Sequence, residues 1–195
     1  INLLELGITA GGNFAKFEDD RVGGYKTDGG DFGLSLGAYL SYSPNITKYN
    51  LSFLFGVEYN NKKDEYTYDK PNFPAPRTVI HDASVIEPYI LTIYQPFYNK
   101  QGLLSPYIGL GTTYGITLKH DVTTIDLFGL AEQTIEKELN QTFSVLFKLG
   151  TFVNISDHKL MFEIAHSGYS YQRPGKVEDY GTNFQAKLGY VITLK

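Results

Sequence analysis

The sequence predicts an all-β protein, an eight-stranded antiparallel up-and-down barrel that crosses a membrane with its strands. Three observations predict it. Apolar and polar residues alternate with period two along most of the chain. The connections between these segments alternate between long and short. The bulky apolar residues share one face, and that face carries almost no charge.

The first strand sets the pattern. Leu4, Leu6, Ile8, Ala10 and Phe14 fall on one side, against Glu5, Gly7, Thr9, Gly11 and Asn13 on the other. A helix fails here, because the apolar residues do not recur at three and four and Gly7, Gly11 and Gly12 would weaken it. The second strand, Asp31 to Tyr42, sets Phe32, Leu34, Leu36, Ala38 and Leu40 against Gly33, Ser35, Gly37, Tyr39 and Ser41. The third, from Tyr49, sets Leu51, Phe53, Phe55, Val57 and Tyr59 against Asn50, Ser52, Leu54, Gly56 and Glu58. The fourth, about Ala83 to Phe97, is apolar on both faces, which leaves its orientation open. Its prolines, Pro88 and Pro96, suggest a bulge near Glu87-Pro88, since proline donates nothing to the ladder.

The fifth strand starts at Ser105, with Ile108, Leu110, Tyr114 and Ile116 opposing Tyr107, Gly109, Gly111, Thr113, Gly115 and Thr117. The sixth opposes Leu139, Phe143, Val145, Phe147, Leu149 and Val153 to Asn140, Thr142, Ser144, Lys148 and Gly150. The seventh opposes Leu160, Phe162 and Ile164 to Met161, Glu163, Ala165 and Ser167. The eighth carries Tyr180, Phe184, Ala186, Leu188, Tyr190, Ile192 and Leu194 on one side, and Gly181, Asn183, Gln185, Lys187 and Gly189 on the other. A tilted strand of about 9–11 residues spans a bilayer, and most of these segments reach that length.

Long connections are expected at Lys16 to Gly30, Asn61 to Asp82 and His120 to Glu138, with a medium one at Gln172 to Asp179. Short turns are expected around Pro44-Asn45, Asn99 to Gly102 and Ser156 to Lys159. The two sets fall at opposite ends of the meander. This is the shape of an outer-membrane barrel with short periplasmic turns and longer external loops, and it places the protein in the bacterial outer membrane.

Composition narrows the classes. The 195 residues form one domain, 1–195, with 17 Lys+Arg against 21 Asp+Glu and a net charge of −4, so no basic footprint for nucleic acid exists. With no cysteine there is no disulfide frame, thiolate metal site or thiol nucleophile. No run approaches the roughly 18 apolar residues of a membrane helix, and the start shows no basic and apolar leader, as in a mature chain. A soluble barrel is the competing fold. It would hide its large apolar side chains inside and show charges outside; here the charges Glu5, Glu58, Lys148, Glu163 and Lys187 sit on the small-residue face. Aromatics also gather near the strand ends, with Phe14, Phe32, Tyr59 and Tyr180 toward the long loops and Tyr42, Tyr49 and Tyr190 toward the turns, like two interfacial girdles.

The run Ser84-Val-Ile-Glu-Pro-Tyr-Ile-Leu-Thr-Ile-Tyr94, followed by Leu104-Ser-Pro-Tyr-Ile-Gly-Leu-Gly111, resembles the central strands of the PorT-like outer-membrane β-barrel family of Bacteroidota. The opening Leu4-Glu-Leu-Gly-Ile-Thr-Ala-Gly-Gly-Asn-Phe14 is similar to the family's first strand. The resemblance implies a small OmpA/OmpX-type barrel in the outer membrane and brings no functional residue with it. The chain departs from the pattern in the Glu87-Pro88 pair and in ending Leu194-Lys195 rather than on an aromatic.

The candidate sites are few. Glu58, Lys148, Glu163 and Lys187 lie on lumen faces and form either an ion-pair plug or a breakable gate. His166-Ser167 with Glu163 is the one arrangement that suggests lipid hydrolysis, as in an outer-membrane deacylase; adjacent strand residues point to opposite faces, which works against a base–nucleophile contact. His81, His120 and His158 read as loop or turn residues without metal-ligand spacing. Glu18, Asp19, Asp20, Asp28 and Asp31 lack the ligand order of a calcium loop, and Gly109-Leu-Gly111 precedes no helix. No cofactor or metal is expected, nor enzymatic activity. The expected role is that of a structural or accessory subunit in contact with outer-membrane lipid and lipopolysaccharide. It would bind another outer-membrane protein through its loops or wall, with Tyr66, Tyr68 and Phe73 of the long loop after the third strand as the candidate contact. A deacylase-like enzyme and a narrow gated pore are the alternatives.

Overall fold

A computed structural model describes residues 3–17, 25–26, 30–44, 50–69, 76–96, 103–125, 131–136, 142–155, 158–171 and 179–194. The strands are β1 (Leu3–Phe17), β2 (Tyr25–Lys26), β3 (Asp31–Ser43), β4 (Leu51–Asp69), β5 (Arg77–Tyr94), β6 (Leu104–Ile125), β7 (Ala131–Glu136), β8 (Thr142–Ile155), β9 (His158–Tyr171) and β10 (Asp179–Leu194). Eight of them close a ring of antiparallel neighbours, β1-β3-β4-β5-β6-β8-β9-β10 and back to β1. The short β2 and β7 add to the ends of β4 and β6.

Closure is what an all-β chain needs in hydrocarbon, where an open edge would leave backbone N–H and C=O groups unpaired. The register shows how the ring closes. A row of outward residues starts at Leu4 and passes through Tyr42, Phe53, Thr92, Leu110, Phe147, His166 and Phe184. It returns to β1 at Phe14, ten residues beyond its start. A ten-residue stagger over eight strands tilts them by about 40°.

Alternation of burial assigns the faces. Ile8, Leu110, Leu188 and Phe143 stand on the outside, 57–66% exposed, while Glu5, Ser35, Glu58, Lys148, Glu163 and Lys187 are buried inside. The outward belt carries Phe14 and Phe32 toward one rim and Tyr42 and Tyr190 toward the other. Tyr49 and the side chain of Tyr180 fall outside the described residues.

Four expectations change, and one open question closes. The fourth strand is resolved: Val85, Glu87, Tyr89, Leu91 and Ile93 point inward, while Ile86, Pro88, Ile90, Thr92 and Tyr94 point away from the lumen. No bulge forms at Glu87-Pro88, where the pairing with β4 runs through Glu58↔Glu87 and Val57↔Pro88. The shift lies instead between Ser84 and Val85 and leaves Leu118 of β6 as the extra residue. Pro88 brings no N–H to the ladder, and its carbonyl accepts from Thr113 Oγ1 at 3.1 Å.

The expected loop Asn61 to Asp82 is largely strand. β4 and β5 remain paired from Lys62↔Ala83 to Tyr68↔Arg77, and only residues 70–76 connect them. The expected loop His120 to Glu138 likewise begins as β6 and returns as β7. The physical reason is common to both. Beyond the lipid, the outward face meets water and no longer needs bulky apolar side chains, so the hydrophobic alternation that marks a membrane strand fades while the ladder continues.

The lumen is also less uniformly small and ionic than its sequence pattern suggests. Leu54, Leu91, Ile93, Phe152, Met161 and Val191 form a buried apolar layer toward the turn end of the barrel. This explains why the fourth strand reads as apolar on both faces.

Candidate functional site: the filled lumen and the raised wall

Alternation places Glu58 on β4, Lys148 on β8, Glu163 on β9 and Lys187 on β10, all facing the axis. The structure brings these four together. Glu58 Oε1 accepts from Lys148 Nζ at 2.8 Å and from Lys187 Nζ at 2.7 Å. Glu163 Oε1 faces the same two ammonium groups at 3.0 Å and 3.3 Å. Two anions and two cations thus form one neutral ring. All four side chains are at most 4% exposed. Buried charges persist only when paired and hydrogen-bonded; all four are paired, Glu58 accepts from both lysines, and Glu163 Oε1 meets them by charge alone, without a hydrogen bond.

Tyrosines support the ring. Tyr107 donates to Glu163 Oε2 at 2.6 Å, and Lys148 Nζ lies 4.2 Å from the centre of the Tyr89 ring. Tyr39 OH reaches Met161 Sδ at 3.5 Å. Each of these three rings lies across a glycine directly opposite in the ladder: Tyr39 over Gly7, Tyr89 over Gly56 and Tyr107 over Gly150. A Cβ at Gly150 would stand 2.6 Å from Tyr107 Cζ, so the missing side chain is what admits the ring. The pairing of glycine with tyrosine required knowledge of the register, which the sequence did not supply.

A second polar layer lies toward the loop end. Lys62 Nζ meets Glu87 Oε1 at 2.8 Å, Asn60 donates to Glu87 Oε2, and Gln185 donates to Asn60 at 3.3 Å. Near the turn end Lys159 pairs with Glu5 at 2.5 Å. The sequence pattern ends the third strand before Lys62 and leaves the faces of the fourth open, so it does not place Lys62 and Glu87 in the lumen. The lumen is therefore stacked in layers: apolar, then ionic, then polar.

Other sequence candidates separate. His166 faces outward and Ser167 is buried inside, while Glu163 is held in the ion-pair ring. The structure does not assemble them into a base–nucleophile pair. His81 and His120 lie on strands rather than in loops, buried, with His81 Nδ1 3.0 Å from His120 Nε2. Tyr66 stacks on His81. His158 opens β9 and bonds Tyr190 at 2.6 Å. Among the described residues no group of three or more His, Cys, Asp or Glu converges as a metal site. Asp31 accepts from Phe32 N at 2.6 Å, and the other four loop acids lie outside the described residues.

Of the candidate contact residues, Tyr66 turns inward and is only 2% exposed, packed with Val79 and Val122. The Tyr68 side chain and Phe73 lie outside the described residues. What rises above the barrel is a sheet. β4, β5 and β6, at 19, 18 and 22 residues, outgrow β3, β8, β9 and β10, and β7 extends the sheet sideways.

A closed ring of eight tilted strands, apolar outside and filled inside, decides the fold. It is a transmembrane β-barrel of the small outer-membrane type. The chain is similar to Neisserial surface protein A, with a TM-score of 0.58 at 12% identity, covering 97% of this chain and 96% of that one. It is also similar to the outer membrane protein OprG from Pseudomonas aeruginosa, with a TM-score of 0.51 at 15% identity, covering 96% and 95%. No family profile and no curated protein matches the sequence.

Proposed function

We propose that the protein is a non-enzymatic barrel of the bacterial outer membrane, acting as an accessory subunit that binds another outer-membrane protein. The observation that carries this reading is the contrast between a filled lumen and a wall that outgrows it. Four buried, paired side chains occupy the lumen, while β4, β5 and β6 are longer than the strands across the ring and β7 pairs with the end of β6. Function in barrels concentrates on such projecting segments, which a rigid scaffold positions. The apolar outward belt supports the reading that the wall contacts membrane lipid, lipopolysaccharide included. The finer assignment, to the PorT-like barrels of Bacteroidota, is supported by the Ser105–Gly111 run and the first-strand pattern.

Replacing residues 66–79 by a two-residue turn tests the role. The barrel should still fold, seen as a heat-dependent shift in gel mobility, and a partner cross-linked to the parent protein in intact cells should no longer be captured. Undiminished capture would remove the raised sheet as the contact. The gated-pore alternative makes a different prediction: planar-bilayer recording of the parent protein would show discrete openings, whereas the filled lumen predicts a silent trace.

A further inference from the structure

We propose that the raised sheet carries an acid-sensitive lock. The imidazoles of His81 on β5 and His120 on β6 hold the two strands together while one of them is uncharged, and part when both take a proton. The lock belongs to the fold itself and stands whether or not the sheet meets a partner.

Three observations place it. The first is the contact. His81 Nδ1 lies 3.0 Å from His120 Nε2, the rings stack with centres 5.2 Å apart, and both residues are 1% exposed. Tyr66 of β4 also stacks on His81, at 5.8 Å, with its hydroxyl 3.5 Å from Nε2. The second is the place in the ladder. His81 is paired with Val122 and His120 with Ala83, so the two imidazoles bridge β5 and β6 diagonally. On the membrane side of the pair the ladder shifts between Ser84 and Val85, which separates the raised part of these strands from the part in the belt. The third is the surroundings. Asp64 lies directly across from His81 on β4, buried, and Lys62 on the same face is held by Glu87 of β5 at 2.8 Å. The buried side chains toward the loop end of β1, β3, β8, β9 and β10, among those described, are Asn13, Ala15, Ser35, Ser144, Ser167 and Asn183, none of them titratable.

A neutral imidazole has one N–H and one bare nitrogen, so two of them share one hydrogen bond. A single added proton leaves that bond intact, with the charged ring donating. A second proton removes the acceptor. Two N–H groups then face each other at contact distance, and Asp64 across the ladder balances one of the two charges, not both. Opening beyond the Ser84–Val85 shift gives both charges to water. The open form therefore binds a proton that the closed form excludes, so closure is favoured at neutral pH and lost as the pH falls. Imidazoles change charge between about pH 5 and 8, and the second proton arrives at the acid end of that window.

Amide hydrogen exchange of the full chain in lipid vesicles tests this, at about pH 7.5 and about pH 5, corrected for the intrinsic pH dependence of exchange. In the parent protein, residues 77–83 and 119–125 should lose protection at least about tenfold in acid, the factor that one excluded proton supplies per pH unit. Residues 85–94 and 143–153 should keep theirs. His120→Gln keeps a donor and an acceptor near the position of Nε2 but takes no proton, so its protection should be equal at the two pH values. His81→Asn, which replaces Nδ1 in the same way, serves if the first variant fails to fold by heat-dependent gel mobility. Protection in the parent that does not change with pH would overturn the proposal. So would an equal acid loss in the folded variant, which would assign the effect to a carboxylate such as Asp64. A loss shared by 85–94 and 143–153 would overturn it too, since the whole barrel would then be loosening.

Discussion

Glu58 holds two lysines with one oxygen, and its removal should be felt more than that of any outward residue. Glu58→Gln leaves Lys148 and Lys187 to share Glu163 alone, and breaking such a buried set by one partner costs about 3–5 kcal/mol. The midpoint of urea unfolding in lipid vesicles should fall accordingly. A second residue-scale test concerns Tyr107. Gly150→Ala puts a methyl group where the ring lies, and overpacking of this kind costs about 1–3 kcal/mol. Unfolding in the same vesicles should detect it, and Gly168→Ala, where a Cβ would meet nothing within 4 Å, serves as the control. The charges at Glu58, Lys148, Glu163 and Lys187 were legible in the sequence. A charged residue on a strand whose alternate face is greasy has one affordable direction. That they meet in one ring was not legible, since this depends on the stagger of the whole barrel.

At the scale of the element, the strands inside the membrane could be read and those beyond it could not. β1, β3, β8 and β10 show their faces because lipid demands large apolar side chains on alternate positions. The continuation of β4 through Asn60, Lys62, Asp64 and Tyr66 is polar on both faces, so the sequence reads as loop. β5 escaped assignment for the opposite reason: its inward Leu91 and Ile93 belong to the lumen's apolar layer. The boundary between these regimes predicts a sharp contrast. Leu36→Lys, on the outward belt, should cost about 2–4 kcal/mol if near mid-bilayer. Glu65→Lys, outward on β4 in its extension, should stay within about 0.5 kcal/mol. Reversible unfolding from lipid vesicles separates the two. Similar costs at both sites would mean that the belt has been placed wrongly.

Across the whole molecule, the arrangement amounts to an inversion of a soluble protein. The apolar surface faces outward, the ions are interior, and the closed ring satisfies the backbone. The three layers fill the lumen between the described strands, which supports the scaffold role proposed above, and the longest strands extend the sheet on one side. The measurement that tests this inversion most directly uses the cysteine-free chain. An environment-sensitive fluorophore is attached to single cysteines at Leu34, Ser35, Leu36, Tyr39, Leu40 and Ser41 of β3 in vesicles containing nitroxide-labelled lipid. Quenching should be strong at 34, 36 and 40 and weak at 35, 39 and 41. Uniform quenching along the strand, or quenching by aqueous iodide at the leucine positions, would contradict the account.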